Sequence, residues 1–217
     1  MTTNQVILWK YKNTAVDEKY QPTRTFHFDN TSITIQQQKT DITIEKNTGN
    51  VVWDGAFILS DYILRNFDLT GKRVIELGAG TGLVGLAASS NGGITTVTDI
   101  TNQVELLKTN INLNPHIKNI NAEELLWGTN DTIGKYDYIF GSEILYLHDQ
   151  HLNLIQTCKS LSTKNTVILM IYKHRGLGEE HFFEIAENEF QVDIIPKDEY
   201  HKEFQNSEYT IFQMYLK

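Results

Sequence analysis

Glu76-Leu77-Gly78-Ala79-Gly80-Thr81-Gly82 decides the fold of this 217-residue chain. A short apolar run, Arg73 to Leu77, leads into the glycines, and an apolar helical pattern, Leu83 to Ser90, leaves them. A strand that turns on glycines straight into a helix is the opening unit of an α/β layer. Working outward, the alternation continues. Thr95 to Thr98 is β-branched and ends at Asp99, and Gln103 to Leu113 has helical spacing. Strands are expected at Ile120 to Trp127 and Tyr136 to Ser142, a helix at His151 to Leu161, and a buried strand at Thr166 to Tyr172. A helix over Glu179 to Asn188 and strands at Phe190 to Ile195 and Tyr209 to Leu216 complete the series. Such alternation predicts a mostly parallel sheet with helices on both faces. The last two strands are separated by a polar loop alone, so they are expected to pair antiparallel at one edge.

Upstream of the glycines the period changes twice. Thr25 to Phe28 and Ile33 to Ile35 alternate around Asp29-Asn30, which reads as a β-hairpin turning on the Asx pair. From Trp53 to a break near Asn66, Ala56, Phe57, Leu59, Ile63 and Leu64 recur at helical spacing. One domain is expected over 1–217, with residues 1–50 as an N-terminal hairpin extension and 51–217 as the core. Three prolines leave no Pro-rich linker to divide it.

Composition narrows the function classes. Hydrophobic residues make up 40% and charged residues 21%, an ordinary globular balance. With 27 acidic against 19 basic residues, the net charge of -8 argues against a surface built for phosphate backbones, so no nucleic-acid partner is expected. Cys158 is the only cysteine, which excludes an intrachain disulfide and a multi-cysteine zinc site. His148 and His151, with Asp149, lack a third ligand at suitable spacing, so no metal is expected. Met1-Thr2-Thr3-Asn4-Gln5 lacks the basic and apolar regions of a signal peptide, and Val167 to Tyr172 is too short to cross a bilayer. The expected location is the cytoplasm, with the nucleus as the alternative.

The glycine turn carries chemistry as well as topology. Glycines let the backbone approach a ligand closely, and N–H groups at the helix start can face polar groups. A dinucleotide fingerprint needs G-x-G-x-x-G, but Leu83 stands where its third glycine belongs. What remains is G-x-G-x-G behind an acid, the form typical of S-adenosylmethionine (SAM) sites. Asp99, at the end of the next strand, suits the acceptor of two ribose hydroxyls, a geometry that serves NAD and SAM alike. Its alternative is a cap on the helix that begins near Thr101.

Further residues match a known pattern. Val51-Val52-Trp53-Asp54, Val74 to Gly85, Thr98-Asp99, Leu126-Trp127-Gly128 and Phe140-Gly141-Ser142-Glu143-Ile144-Leu145-Tyr146 are its landmarks. From about Phe26 onward the chain resembles the seven-strand, SAM-dependent methyltransferases that modify lysines of non-histone proteins, the group with a D-x-x-Y signature. Lys173-His174-Arg175, Phe182-Phe183 and Phe190 recur in the C-terminal half of that group.

The resemblance implies a Rossmann-like class I methyltransferase fold, α/β, with a mostly parallel seven-stranded sheet and an antiparallel edge strand. It implies SAM as cofactor, held by Trp53, the Gly78-Ala79-Gly80 backbone, Asp99, Trp127 and Ser142. Trp127 would cover the adenine by stacking, and Trp53, on the helix before the sheet, would close the methionine end; the alternative for each Trp is ordinary core. Glu143 and Tyr146 take the catalytic places, although the signature has Asp where this chain has the longer Glu143. The expected substrate is a lysine on a protein of the chaperone, ATPase or translation-factor class, reached by a monomer without membrane attachment. A Ser-Glu pair at 142–143 occurs in some histidine-directed relatives, which makes a histidine acceptor the alternative. A small-molecule methyltransferase and a non-catalytic interaction module are the remaining classes.

Overall fold

In the computed structural model, which describes residues 21–38, 45–129 and 134–217, Asp29-Asn30 turns the chain between β1 (Thr23–Phe28) and β2 (Thr31–Gln36). These two pair antiparallel as the expected hairpin, apart from the main sheet. Phe26, Ile33 and Ile35 alternate onto the face that meets Val52, Leu83, Leu86 and Ala87. After a 3-10 turn at Glu45–Asn50 comes α1 (Asp54–Asn66), which starts one residue later than expected because Trp53 is extended, with φ -85 and ψ 152.

Then β3 (Arg73–Leu77), α2 (Leu83–Ser90), β4 (Ile94–Asp99), α3 (Thr101–Leu113) and β5 (Ile120–Glu124) follow in turn. β6 (Tyr138–Ser142), α4 (His151–Leu161), β7 (Val167–Lys173), α5 (Glu179–Glu189), β8 (Phe190–Ile194) and β9 (Tyr209–Leu216) complete the chain. The sheet order is β5-β4-β3-β6-β7-β9-β8. The first five strands in that order run parallel, and β9 is antiparallel to both β7 and β8. The last two strands do pair antiparallel at one side of the sheet, but the reversed strand is β9, one place in from the rim. Its Ile211, Phe212 and Met214 are fully buried, which suits a strand with a neighbour on each side.

The fifth strand stops three residues short of the expected Trp127. β5 is a rim strand, and beyond Glu124 only the Leu125 N–H still reaches β4, at the Asp99 carbonyl, 3.0 Å away. Released from the sheet, the chain turns at Trp127-Gly128, which leaves Leu126 exposed and Trp127 packed against the core.

α2 is apolar on all sides because it is covered on all sides; its residues Leu83 to Ser89 are buried. The hairpin is fastened by two asparagines four residues apart, Asn110 in the last turn of α3 and Asn114 just past its end. Asn110 accepts the Gln36 N–H at 2.7 Å and donates to the Gln36 and Thr81 carbonyls, and Asn114 both accepts from and donates to the Thr34 backbone. Both side chains are buried with their amides satisfied, so they serve β2 as a neighbouring strand would. Among the described residues, no helix is long and apolar enough to cross a membrane.

Candidate active site

The chain order reverses between β3 and β6, and ligands of open α/β sheets bind beyond the carboxyl ends of strands at such a point. A cavity of about 760 Å³ opens there, and all nine residues singled out from the sequence line it. That volume lies within the range of about 300–1,000 Å³ usual for small-molecule sites.

The glycine turn forms its floor. Gly80 has φ +54, and a Cβ on it would stand 2.9 Å from the Gly49 carbonyl, so the turn at 45–50 closes directly onto the loop. The loop's N–H groups are less free than its sequence suggests. Ala79 donates to Thr98 O at 2.9 Å, Gly82 to Ala79 O at 2.8 Å, and Gly80 to Asp99 Oδ2 at 2.7 Å. The glycines therefore provide close approach, while the hydrogen-bonding capacity rests with Asp99.

Asp99 is not the cap of α3. Its Oδ1 accepts the Ile100 N–H at 2.8 Å, its Oδ2 reaches back to Gly80, and the helix has no side-chain cap. Burial raises its carboxyl above the ordinary value, and the two N–H bonds pull against that. Each oxygen keeps a further lone pair for hydroxyl donors. Over the same floor lies Trp127, whose ring would be 3.1 Å from a Cβ on Gly78. It is half-buried and touches the main core as well as the cavity.

The opposite wall is organised by Thr48, which the sequence reading did not single out. Its carbonyl accepts the Trp53 indole N–H at 2.8 Å, and its hydroxyl pairs with the Tyr146 hydroxyl at 2.8 Å. Trp53 thus faces the cavity from the residue that precedes α1. Burial raises the Tyr146 phenol, partly offset by the Thr48 bond. Thr48 stands in a polar stretch without periodicity, so nothing local marks it.

At the end of β6 the backbone is strained. Glu143 has φ 58, a left-handed conformation uncommon outside glycine, and is fixed there by its N–H bond to Ile171 O at 2.9 Å. Its Oε2 is hydrogen-bonded by the Arg175 guanidinium, while its Oε1 is buried without a hydrogen-bond partner. Burial raises the Glu143 carboxyl, and Arg175 works against that rise. The Ser142 Oγ is likewise buried and unpartnered. Buried polar atoms left over in a cavity wall mark places where a ligand completes the hydrogen bonding. Arg175 belongs to a tripeptide that the resemblance covers, but only the fold brings it to Glu143.

Glu76, just before the glycine turn, also borders the cavity and is almost fully buried. Its Oε2 accepts the Gly85 N–H at 2.7 Å, and burial pushes its carboxyl up to about 8. The third imidazole missing from the sequence near His148 and His151 arrives from α5: His181 stacks on His148 with centroids 4.4 Å apart. His151 Nε2 meets Leu145 O at 2.8 Å and its Nδ1 meets His181 Nδ1 at 3.3 Å, so these nitrogens serve packing.

An acid with spare lone pairs, an indole over a glycine floor and a wall with two unpartnered oxygens fit a nucleoside carrying an amino-acid arm, as in SAM. Comparison with known proteins agrees. The sequence profile of a family described as lysine methyltransferase matches residues 27–189. The protein N-lysine methyltransferase METTL21A of Mus musculus is 37% identical over 186 residues, covering 82% of this chain and 84% of its own. EEF1A lysine methyltransferase 3 of Mus musculus is 36% identical over 154 residues, covering 68% of this chain and 66% of its own. Among solved structures, a 16S rRNA N2 G1207 methyltransferase (RsmC) of T. Thermophilus, in complex with AdoMet and guanosine, has a TM-score of 0.63. It is 15% identical and covers 90% of this chain and 50% of its own. A TehB-like SAM-dependent methyltransferase of Corynebacterium glutamicum has a TM-score of 0.58 at 14% identity, covering 73% of this chain and 87% of its own. At such identities these two structures establish the shared fold.

Proposed function

The chain belongs to the lysine methyltransferase family, and we propose that it transfers methyl groups from SAM to a lysine side chain of a folded non-histone protein. SAM, when bound, supplies an electrophilic methyl group on a sulfonium. The chain's own task is to align the acceptor and exclude water. Asp99 takes the ribose hydroxyls, Trp127 covers the adenine, and Trp53, Ser142 and the Gly78-Ala79-Gly80 backbone bound the rest of the cofactor.

A lysine acceptor must shed a proton, since roughly one in a few thousand is neutral at pH 7. Desolvation in the cavity pushes its pKa down. Glu143 then holds the incoming nitrogen by a hydrogen bond, and its first role is orientation, because a carboxylate charge by itself favours the ammonium. Tyr146, anchored by Thr48, walls the channel and keeps the lone pair in line. The observation that carries this reading is the Glu143 carboxylate: it lines the cavity, sits on strained backbone and keeps one buried oxygen unpartnered.

We place the substrate in the chaperone, ATPase or translation-factor class, reached in the cytoplasm by a monomer. One relative is named for EEF1A, a translation factor, which supports that class. The acidic balance of the chain favours a basic docking surface on the partner. Incubating the purified protein with methyl-labelled SAM and a cell lysate tests the reading. The expected result is label in a discrete protein band, mapped to lysine; label on histidine, or in small molecules only, would overturn the acceptor assignment.

A further inference from the structure

Gly55 lies in the first turn of α1 with ordinary helical backbone, a place where alanine is the better helix former. Nothing in the backbone calls for glycine. The reason lies in the side chain beside it. A Cβ on residue 55 would stand 2.6 Å from Glu143 Oε1, 2.8 Å from its Cγ and 3.1 Å from its Cδ. Real Cβ contacts do not fall this short, so Glu143 would have to move.

It has little freedom to do so. Its main chain is held at φ 58 by the bond to Ile171, and its Oε2 is tied to Arg175. The side chain is 7% exposed and the open space beside it is the cavity itself, so a Cβ at residue 55 would push the carboxylate out of its place in the cavity wall. The shorter Asp of the D-x-x-Y signature would draw the carboxylate back by roughly one carbon–carbon bond, about 1.5 Å. The glutamate of this chain therefore fills room that the missing Cβ of residue 55 leaves.

We propose that Gly55 is a positioning residue for the acceptor-holding carboxylate: it makes room for Glu143 at position 143, while Arg175 fixes the carboxylate's second oxygen. The inference rests on the role given to Glu143 above. It makes residues 55 and 143 a matched pair, in which the effect of a Cβ at 55 depends on the length of the side chain at 143.

Four proteins test it: the wild type, Gly55→Ala, Glu143→Asp and the double variant. Each is measured for thermal midpoint, for SAM affinity by calorimetry, and for label transfer from SAM to the lysate protein that the wild type methylates. In the wild-type background Gly55→Ala is expected to lower the midpoint and cut turnover by about tenfold or more, as a displaced reacting group does. SAM affinity should stay within a few-fold. In the Glu143→Asp background the same alanine is expected to raise the midpoint, since the clash is gone and helix propensity remains. Turnover of the double variant should then equal that of Glu143→Asp. If Gly55→Ala does not fold, the double variant must. A Gly55→Ala protein as stable and active as the wild type would overturn the inference, and so would an alanine effect of the same sign in both backgrounds. A fully active Glu143→Gln would remove the role of Glu143 and this inference with it. An inactive Glu143→Gln without the reversal would remove this inference alone.

Discussion

Asp99 Oδ2 accepts the Gly80 N–H at 2.7 Å, joining the end of β4 to a glycine nineteen residues earlier in the chain. One carboxylate thereby braces the loop and faces the cavity that the loop floors. The two duties separate experimentally, because bracing needs an acceptor while ribose binding gains from the charge.

Asp99→Ala is expected to weaken SAM binding by the loss of charge-assisted hydrogen bonds worth about 1.5–3 kcal/mol each. Asp99→Asn, which keeps an acceptor for one N–H, should fall between the two. Calorimetry on the folded variants measures this, and unchanged affinity in the alanine variant would leave Asp99 with the bracing role alone. No response to a nicotinamide cofactor is expected in any of the proteins.

Trp127→Ala should lose cofactor affinity out of proportion to stability. The indole is half-buried against Gly78 and extends beyond the end of β5, and stacking with burial is worth roughly 1–3 kcal/mol. A melting point that collapses without SAM, with normal affinity in the surviving folded fraction, would identify Trp127 as a core residue instead.

Glu143→Gln should nearly abolish turnover and leave SAM affinity within a few-fold. The amide keeps the size of the side chain but loses the charge that pairs with Arg175 and presents a donor to the acceptor nitrogen. Glu143→Asp should retain part of the activity, at the cost of one methylene of reach. Steady-state turnover with the mapped protein substrate decides between them.

Stability should fall as pH rises from about 4.5 to about 8 through the contribution of Glu76. Its folded-state value is raised to about 8 by burial, so between the unfolded and folded values the native state binds more protons than the unfolded one. That contribution is fully present below the unfolded value and is lost as pH climbs through the folded one. Glu76→Gln should flatten this part of the curve in denaturant titrations run across the range, and an unaltered slope would refute the assignment.

How much was legible follows from the range of the forces involved. The strand Arg73–Leu77, the helix Leu83–Ser90, the strand Tyr209–Leu216 and the turn at Asp29-Asn30 all stand where periodicity and turn chemistry put them. Side-chain period and glycine sterics act over a few residues, so a local reading captures them. Trp127 shows where that reading ends: its apolar neighbourhood looks like strand, but β5 has no second partner to hold it there.

The sequence by itself determined the α/β alternation, the glycine turn with Asp99 beyond it, and nine of the residues that line the cavity. Only the tertiary structure decided that β9 enters between β7 and β8, that Thr48 meets Tyr146 across 98 positions, and that Arg175 meets Glu143 across 32. It also decided that a Cβ on residue 55 would stand 2.6 Å from Glu143 Oε1, 88 positions away in the chain. The physical reason is that a chain's local period is set by neighbours a few residues away. The partner of a buried charge or hydroxyl is set by which strand ends and helix starts the sheet order brings together.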